Sequence, residues 1–132
     1  MKEELIEKFL KEDNIFAIVG VSKDPNKYGH KVFKDLKEGG YKVYPINPNA
    51  EEVLSDKIYN SLKDLPKKPD VADIVVPPEV AEKIVKECNS LGIEKVWLQP
   101  GSESEEIIEY CEENGIEVIH DRCVMKERIR TK

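Results

Sequence analysis

The sequence is poor in the residues on which disulfide-bonded, zinc-binding and membrane proteins depend. Its 132 residues include three cysteines, Cys88, Cys111 and Cys123, which are odd in number, widely spaced and without a CxxC pair. That pattern argues against a disulfide framework and against a zinc site. No apolar run approaches the roughly 18 residues of a membrane span, and the charged residues that open the chain leave no apolar signal-peptide core. We therefore expect a cytoplasmic protein with no membrane partner.

Positive charge is also in short supply. The chain carries 21 Lys and Arg against 27 Asp and Glu, a formal net charge of −6, which argues against a general nucleic-acid binder. A local cationic cluster for an anionic ligand remains compatible with this balance. Gln99 and Thr131 are the only Gln and Thr, whereas Lys and Glu number 18 and 19. Such Lys and Glu enrichment predicts a thermophilic source.

Apolar runs alternate with helical patterns along the chain, whose length suits one domain over residues 1–132. Strands are predicted at 15–20, 41–46, 71–76, 95–98 and 116–119. Helices are predicted over the first dozen residues, before Gly39-Gly40, at 79–91 and at 103–114, with a helical turn at 124–130. Between 51 and 71 we expect a short strand near Ile58-Tyr59 and a helical turn at 61–65. The pattern predicts a single Rossmann-like, doubly wound α/β domain, with a mostly parallel sheet of about five strands and helices on both faces.

In such a sheet a ligand binds beyond the carboxyl ends of the strands, so the loops that leave those ends are the candidate site. The first loop, residues 20–30, offers Gly20 for close backbone approach and the Ser22 hydroxyl as a donor. The helix that begins near Tyr28 presents free N–H groups that favour phosphate, with cationic residues nearby. An ordinary strand-to-helix turn with solvated lysines explains the same residues equally well.

The loop lacks the GxGxxG pattern of dinucleotide-binding folds. Ser22 stands at the second glycine position, and Gly29 comes too late in the chain. Asn47 stands where an NAD-binding fold places an acidic residue for the ribose hydroxyls. NAD(H) is therefore disfavoured as the ligand.

Together the loop sequences resemble those of the small coenzyme A-binding domain proteins. The resemblance runs from about Ile15 to Arg128 and extends to the N-terminal, coenzyme A-binding part of the succinyl-CoA synthetase α subunit. It is carried by six motifs in order, namely GVS…P…YG, GY.V.PINPN, Y.SL.DLP, PPE, VWLQPG and DRC.

The resemblance implies coenzyme A as the cofactor and assigns its contacts. They come from the phosphate-binding loop (Gly20, Val21, Ser22, Lys23, Lys27, Tyr28, Gly29, His30), the turn beside the adenosine (Asn47, Pro48), the rim after the fourth strand (Val76, Pro77, Pro78) and the segment bordering the pantetheine (Gln99, Pro100, Gly101). Many close relatives carry two arginines before the Pro-Glu pair. This chain has Val76 and Pro77 there, so any phosphate contact from those arginines must be absent or supplied elsewhere.

These observations predict a stand-alone protein that binds coenzyme A or an acyl-CoA and has no catalytic or metal-binding residues of its own. The alternatives are a partner-dependent subunit related to acyl-CoA synthetases and, less favoured, a regulator that binds NAD(H). The synthetase's phosphorylated histidine lies in a second domain that this sequence does not include, so ligase activity does not follow from the resemblance. The ligand's acyl state and any protein partner are left open.

The remaining chemically distinctive residues have simpler interpretations. We expect Trp97, Cys88 and Cys111 in the core and the Glu-rich helix at 103–113 facing solvent. His30 is expected to face solvent or ligand. The three loop residues after the last strand also have structural interpretations. His120 would cap the strand, and Asp121-Arg122 would form an ion pair or hydrogen bonds that fix the loop. Cys123, beside Arg122, is the one candidate for redox chemistry.

Overall fold

A five-stranded, fully parallel sheet organises the chain, which the structure, a computed structural model, describes over residues 2–131. The strand order β2-β1-β5-β6-β7 confirms the predicted doubly wound α/β fold. In chain order the elements are α1 (Lys2–Phe9), β1 (Ile15–Val19), α2 (Tyr28–Glu38), β2 (Lys42–Ile46), β3 (Glu52–Val53), β4 (Asp56–Lys57), a 3-10 turn (Leu62–Asp64), β5 (Val71–Ile74), α3 (Pro78–Leu91), β6 (Lys95–Leu98), α4 (Glu105–Glu113), β7 (Glu117–Ile119) and α5 (Val124–Arg130).

Helices cover both faces of the sheet, because its strands are apolar on both sides. On one face α1, α2 and α5 pack over a cluster that includes Phe16, Phe33 and Trp97. On the other face α3 and α4 bury Cys88 and Cys111. Trp97 and both of these cysteines are fully buried, which confirms their predicted place in the core.

The segment after β2 differs from the prediction. The short strand expected near Ile58-Tyr59 ends just before Ile58, as β4, and it pairs with β3, which was not predicted, in a hairpin of two-residue strands. The hairpin turns at Leu54 and Ser55, both with positive φ, the turn geometry that suits paired strands. Tyr59 makes one isolated parallel bridge to Ile46.

Three predicted boundaries shift for identifiable reasons. The first helix ends at Phe9 rather than near residue 12, because the Asn14 amide donates to the Lys8 and Phe9 carbonyls. The fourth helix begins at Glu105, since the Ser104 hydroxyl caps it by accepting from the Ile107 N–H. The central strand ends at Ile74, before Val76.

The topology creates a crevice beside β1. The chain leaves β1 for β2 on one side and returns to β5 on the other, so the loops leaving β1 and β5 run in opposite directions. None of the helices within residues 2–131 has the length and apolar character that a membrane crossing requires.

Candidate functional site

A cavity of about 500 Å³ occupies this crevice, at the carboxyl ends of β1, β2 and β5. Four of the predicted site residues, Gly20, Asn47, Pro48 and Val76, line it. Sequence reasoning missed the rest of the wall, which includes Val80 and Ile84 from the first turns of α3, Ser61 and Leu62, and the turn residue Asn49. Val80 is apolar yet exposed in the structure, which suits a ligand wall at this edge.

Glycines let the first loop pack directly on its neighbours. Gly20 has a φ of 105°, and a Cβ there would lie 2.3 Å from the Val75 carbonyl oxygen. A Cβ on Gly29 would lie 2.1 Å from the Gly20 oxygen. The close approach that Gly20 permits is therefore to the backbone of Val75, just after β5, and its approach to a ligand remains a prediction.

The start of α2 has no side-chain cap, and the Asp24 carboxylate in the loop before it accepts from the Asn26 N–H at 2.9 Å rather than from the helix. Lys27, at the N-cap, provides no side-chain cap, and the first turn contains no acidic residue. Lys23 and Lys27 are exposed, and neither takes part in an ion pair within residues 2–131. The Ser22 hydroxyl accepts from the Asp24 N–H at 3.0 Å and so shapes the loop. Free helix N–H groups beside two unpaired ammonium groups can hold phosphate.

Asn47 joins the first two loops of the site. Its Nδ2 donates to the Val21 carbonyl at 2.8 Å, and its Oδ1 accepts from the Asn49 N–H at 2.8 Å. These bonds hold the cavity wall in place and explain an amide at this position without reference to a ligand.

His30 does not face solvent as one alternative predicted. Its side chain is buried, and its Nδ1 lies 2.8 Å from the Ser22 carbonyl oxygen. The imidazole thus supports the first loop from behind, because α2 turns it towards the loop backbone. Direct contact with a ligand remains a prediction.

A second group of predicted residues meets at the far end of the same sheet edge. The Tyr28 hydroxyl lies 3.0 Å from Gln99 Oε1 and 2.8 Å from Cys123 Sγ. Gln99, which is fully buried, donates from Nε2 to Asp73 Oδ1 at 2.6 Å. Burial, followed by the contact with Cys123, raises the pKa of Tyr28, so its hydroxyl stays protonated. Cys123 is half-buried at the start of α5.

Asp73 was missed, because it stands inside the apolar run of the central strand. Burial raises the pKa of its carboxyl to about 7, although the hydrogen bond from Gln99 lowers it. Within residues 2–131 its Oδ2 has no hydrogen-bond partner.

The other predicted positions border these two groups. Pro77, Pro100 and Gly101 are exposed along the rim, and Pro78 opens α3. The backbone N–H of Val76 donates to Ser102 Oγ at 3.1 Å, which links the loops after β5 and β6.

The loop after β7 is held by its own contacts, as predicted for Asp121-Arg122. The Arg122 carbonyl accepts from Trp97 Nε1 at 2.8 Å. Asp121 pairs with His120 at 2.8 Å, and Arg122 approaches Glu127 at 3.6 Å, so the ion pairs are with other residues.

This geometry agrees with a family comparison, in which the sequence model of the CoA binding domain matches residues 14–128. The chain belongs to that family. The CoA-binding domain assignment confirms the resemblance on which the site residues were predicted.

Two kinds of relative are similar to this CoA-binding domain. One is the α subunit of the ADP-forming acetate–CoA ligase II of Pyrococcus furiosus, which is 37% identical over an alignment of 119 positions that covers 82% of this chain and 26% of the subunit. The chain thus spans about a quarter of that relative's length, and less of the ligases of Archaeoglobus fulgidus and Methanocaldococcus jannaschii. The other is the uncharacterized protein YneT of Bacillus subtilis, 29% identical, with 96% of this chain and 94% of YneT covered.

Solved structures of similar size share the fold. A hypothetical protein from Pyrococcus horikoshii superposes with a TM-score of 0.92 at 35% identity, covering 98% of this chain and 92% of that one. A conserved hypothetical protein from Pyrococcus furiosus has a TM-score of 0.83 at 46% identity, covering 86% and 98%.

Proposed function

We propose that this CoA-binding domain binds coenzyme A or an acyl-CoA along the carboxyl edge of its sheet. The observation that carries the proposal is the cavity at the crevice beside β1, whose lining residue Gly20 packs against Gly29 in the first turn of α2. An apolar cavity adjoining an anion-favouring helix end suits a ligand with an aromatic base joined to phosphates.

Each end of the proposed ligand meets residues of suitable chemistry. The adenine would enter the cavity walled by Val76, Val80 and Ile84, beside Asn47 and Pro48. The pyrophosphate would lie against the start of α2, where Lys23 and Lys27 supply positive charge in place of the arginines that Val76 and Pro77 replace. The pantetheine would run along the rim past Pro100 and Gly101 towards Tyr28.

The proposal extends to Cys123 as a redox site for the same ligand. Coenzyme A ends in a thiol, and Cys123 is a half-buried thiol at the edge where the pantetheine would end. A mixed disulfide between the two would store or protect thiols under oxidation.

We propose that the protein acts alone and without catalysis, as a carrier or sensor of its ligand. The similarity to YneT, of which 94% is covered, supports a single-domain arrangement for this activity. The match to part of a ligase α subunit favours the second candidate, a subunit that needs a partner chain for acyl-CoA chemistry.

Calorimetry of the full chain with coenzyme A, acetyl-CoA, dephospho-coenzyme A and NAD tests the ligand assignment. We expect coenzyme A to bind at least about tenfold more tightly than NAD, a difference of roughly 1.4 kcal/mol. Native mass spectrometry of the purified protein should show retained coenzyme A or acyl-CoA. Tight NAD binding without coenzyme A binding would overturn the proposal.

A further inference from the structure

Asp73 occupies a costly position for a carboxyl group. It lies on β5, the central strand, and its side chain is fully buried on the face covered by α1, α2 and α5. Its neighbours in register are the apolar Ile18 and Trp97. The one hydrogen bond that it receives within residues 2–131 comes from Gln99. Burial of a carboxyl with a single partner lowers stability, so the position calls for another explanation.

The carboxyl of Asp73 sets the orientation of the Gln99 amide. Because Asp73 Oδ1 accepts from Gln99 Nε2, Gln99 Oε1 is directed at the Tyr28 hydroxyl, 3.0 Å away, and at the Val124 N–H, 3.3 Å away. A reversed amide would place its NH₂ group against the Val124 N–H, donor against donor. One orientation therefore satisfies both ends of the side chain.

This orientation decides where the single hydroxyl proton of Tyr28 goes. Tyr28 has two acceptors, Gln99 Oε1 and Cys123 Sγ, and can donate to only one of them at a time. When it donates to Gln99, its oxygen accepts from the Cys123 S–H. When Cys123 is a thiolate, the hydroxyl must turn to the sulfur, and Gln99 loses that bond. A negative charge on Asp73 strengthens the first arrangement, because it polarises the Gln99 amide and makes Oε1 a better acceptor for the Tyr28 hydroxyl.

We propose that Asp73 is a positioning residue which, through Gln99 and Tyr28, holds the Cys123 thiol in a hydrogen bond and so limits its reactivity. This inference deepens the proposed function and rests on it for the identity of the ligand that meets the thiol. The hydrogen-bond chain itself is a property of the protein without ligand.

Asp73 should affect the reactivity of Cys123 in the neutral pH range, because burial raises the pKa of the Asp73 carboxyl to about 7. The strands beside Asp73 contribute apolar neighbours, and α1 contributes the apolar Ile6 and Phe9. The titratable and charged groups on the helices of this face that are buried or half-buried are Tyr28, His30 and Asp35 of α2, Cys123 at the start of α5, and Glu127 and Arg128 of α5, whereas the other charged residues of α1, α2 and α5 are exposed. His30 is bound to the Ser22 carbonyl, Asp35 pairs with Arg128, and Glu127 pairs with Arg130, which leaves Tyr28 and Cys123 to respond to Asp73.

The test measures the rate at which iodoacetamide alkylates Cys123 in the full chain, by intact mass and peptide mapping, at pH 6 and pH 8.5. The variants are Asp73→Asn, Tyr28→Phe and the double variant. Asp73→Asn keeps an oxygen for Gln99 and removes the charge. At pH 8.5 we expect Asp73→Asn to react at least about threefold faster than the parent, and at pH 6 the two rates should agree. In a protein that already carries Tyr28→Phe, adding Asp73→Asn should change the alkylation rate of Cys123 little or not at all.

The inference would be overturned if the alkylation rate of Asp73→Asn, divided by that of the parent, were the same at both pH values. A ratio unchanged by Tyr28→Phe would also overturn it, since Asp73 would then act without the hydrogen-bond chain. If Asp73→Asn does not fold, Asp73→Ser replaces it in the same comparison, because a hydroxyl is also an uncharged group that can accept from Gln99. Alkylation needs no ligand, so a failure to bind coenzyme A would sink the proposed function and leave this measurement valid.

Discussion

The buried carboxyl of Asp73 should give the free energy of unfolding a distinctive dependence on pH. Its pKa in the folded protein is about 7, against an ordinary value of 3.8. Between these values the unfolded chain has released the proton and the folded protein keeps it, so this group lowers stability as the pH rises towards 7. Below both values, where each state is protonated, the penalty is absent.

Asp73→Asn removes this dependence. We expect the difference in unfolding free energy, variant minus parent, to increase by up to about 4 kcal/mol between pH 4 and pH 8. Urea unfolding of both proteins at the two pH values measures it, and the contributions of the other carboxyl groups cancel in the difference. A difference that stays constant with pH would show that Asp73 ionises normally.

For single residues, the sequence predicts which positions lie in the loops at the site better than it predicts which other residues their side chains contact. Gly20, Asn47, Pro48 and Val76 were predicted at the site from the resemblance to the coenzyme A-binding domain proteins, and they line one cavity. Asp73 could not be found in this way, because a lone carboxyl in an apolar strand gives no periodic signal. Its importance arises from Gln99, 26 positions further along the chain.

The start of α2 is the element that should dominate ligand affinity. Lys23 and Lys27 flank its free N–H groups, and Lys63 and Lys67 are exposed lysines outside the proposed site that serve as a matched control. We expect Lys23→Ala with Lys27→Ala to weaken coenzyme A binding at least about tenfold and to reduce its dependence on salt, because the lysines face the phosphates.

Calorimetry at two salt concentrations compares this pair with Lys63→Ala plus Lys67→Ala. The control pair should change affinity much less. Equal losses from the two pairs would mean that overall charge controls binding, rather than a local cluster at α2.

A helix or strand can be predicted from the sequence when the residues that cause it to form lie within the element itself. The five strands of the sheet followed from apolar runs, since burial on both faces leaves few polar residues in them. The β3–β4 hairpin was missed because its turn uses Leu54 and Ser55 with positive φ, in place of the Gly or Asn that marks such turns. The early end of α1 depends on the side chain of Asn14, which a periodicity argument does not weigh.

For the whole molecule, the order of strands decides where the parts of the site meet. Alternating strands and helices predicted the doubly wound sheet, and the reversal beside β1 then places the cavity at one edge. That same edge brings residues from the two ends of the sequence together, since Tyr28 and Cys123 touch across 95 positions. Local patterns placed each loop at the edge, and the contact itself depends on how α2 and α5 pack over the sheet.

This convergence leads to the prediction for Cys123. The proposed ligand would cross the edge from the start of α2 to the loop after β7, which brings its thiol to the half-buried Cys123. In the reaction with the disulfide of coenzyme A, the Cys123 thiolate attacks one sulfur and forms a mixed disulfide. The original sulfur–sulfur bond breaks, and one coenzyme A leaves as a thiolate that takes up a proton.

Cys88 and Cys111 are internal controls for this reaction. Burial raises the pKa of Cys88 to about 12 and that of Cys111 to about 11, so both remain unreactive thiols at neutral pH. Intact-mass measurement after treatment with coenzyme A disulfide should therefore show one adduct, removed by reductant and absent from Cys123→Ser. No adduct, or an adduct confined to Cys88 or Cys111, would reject the redox assignment. A selective exchange requires a thiol within reach of the bound ligand. Without a selective adduct on Cys123, this residue would be only a small side chain at the end of the last loop.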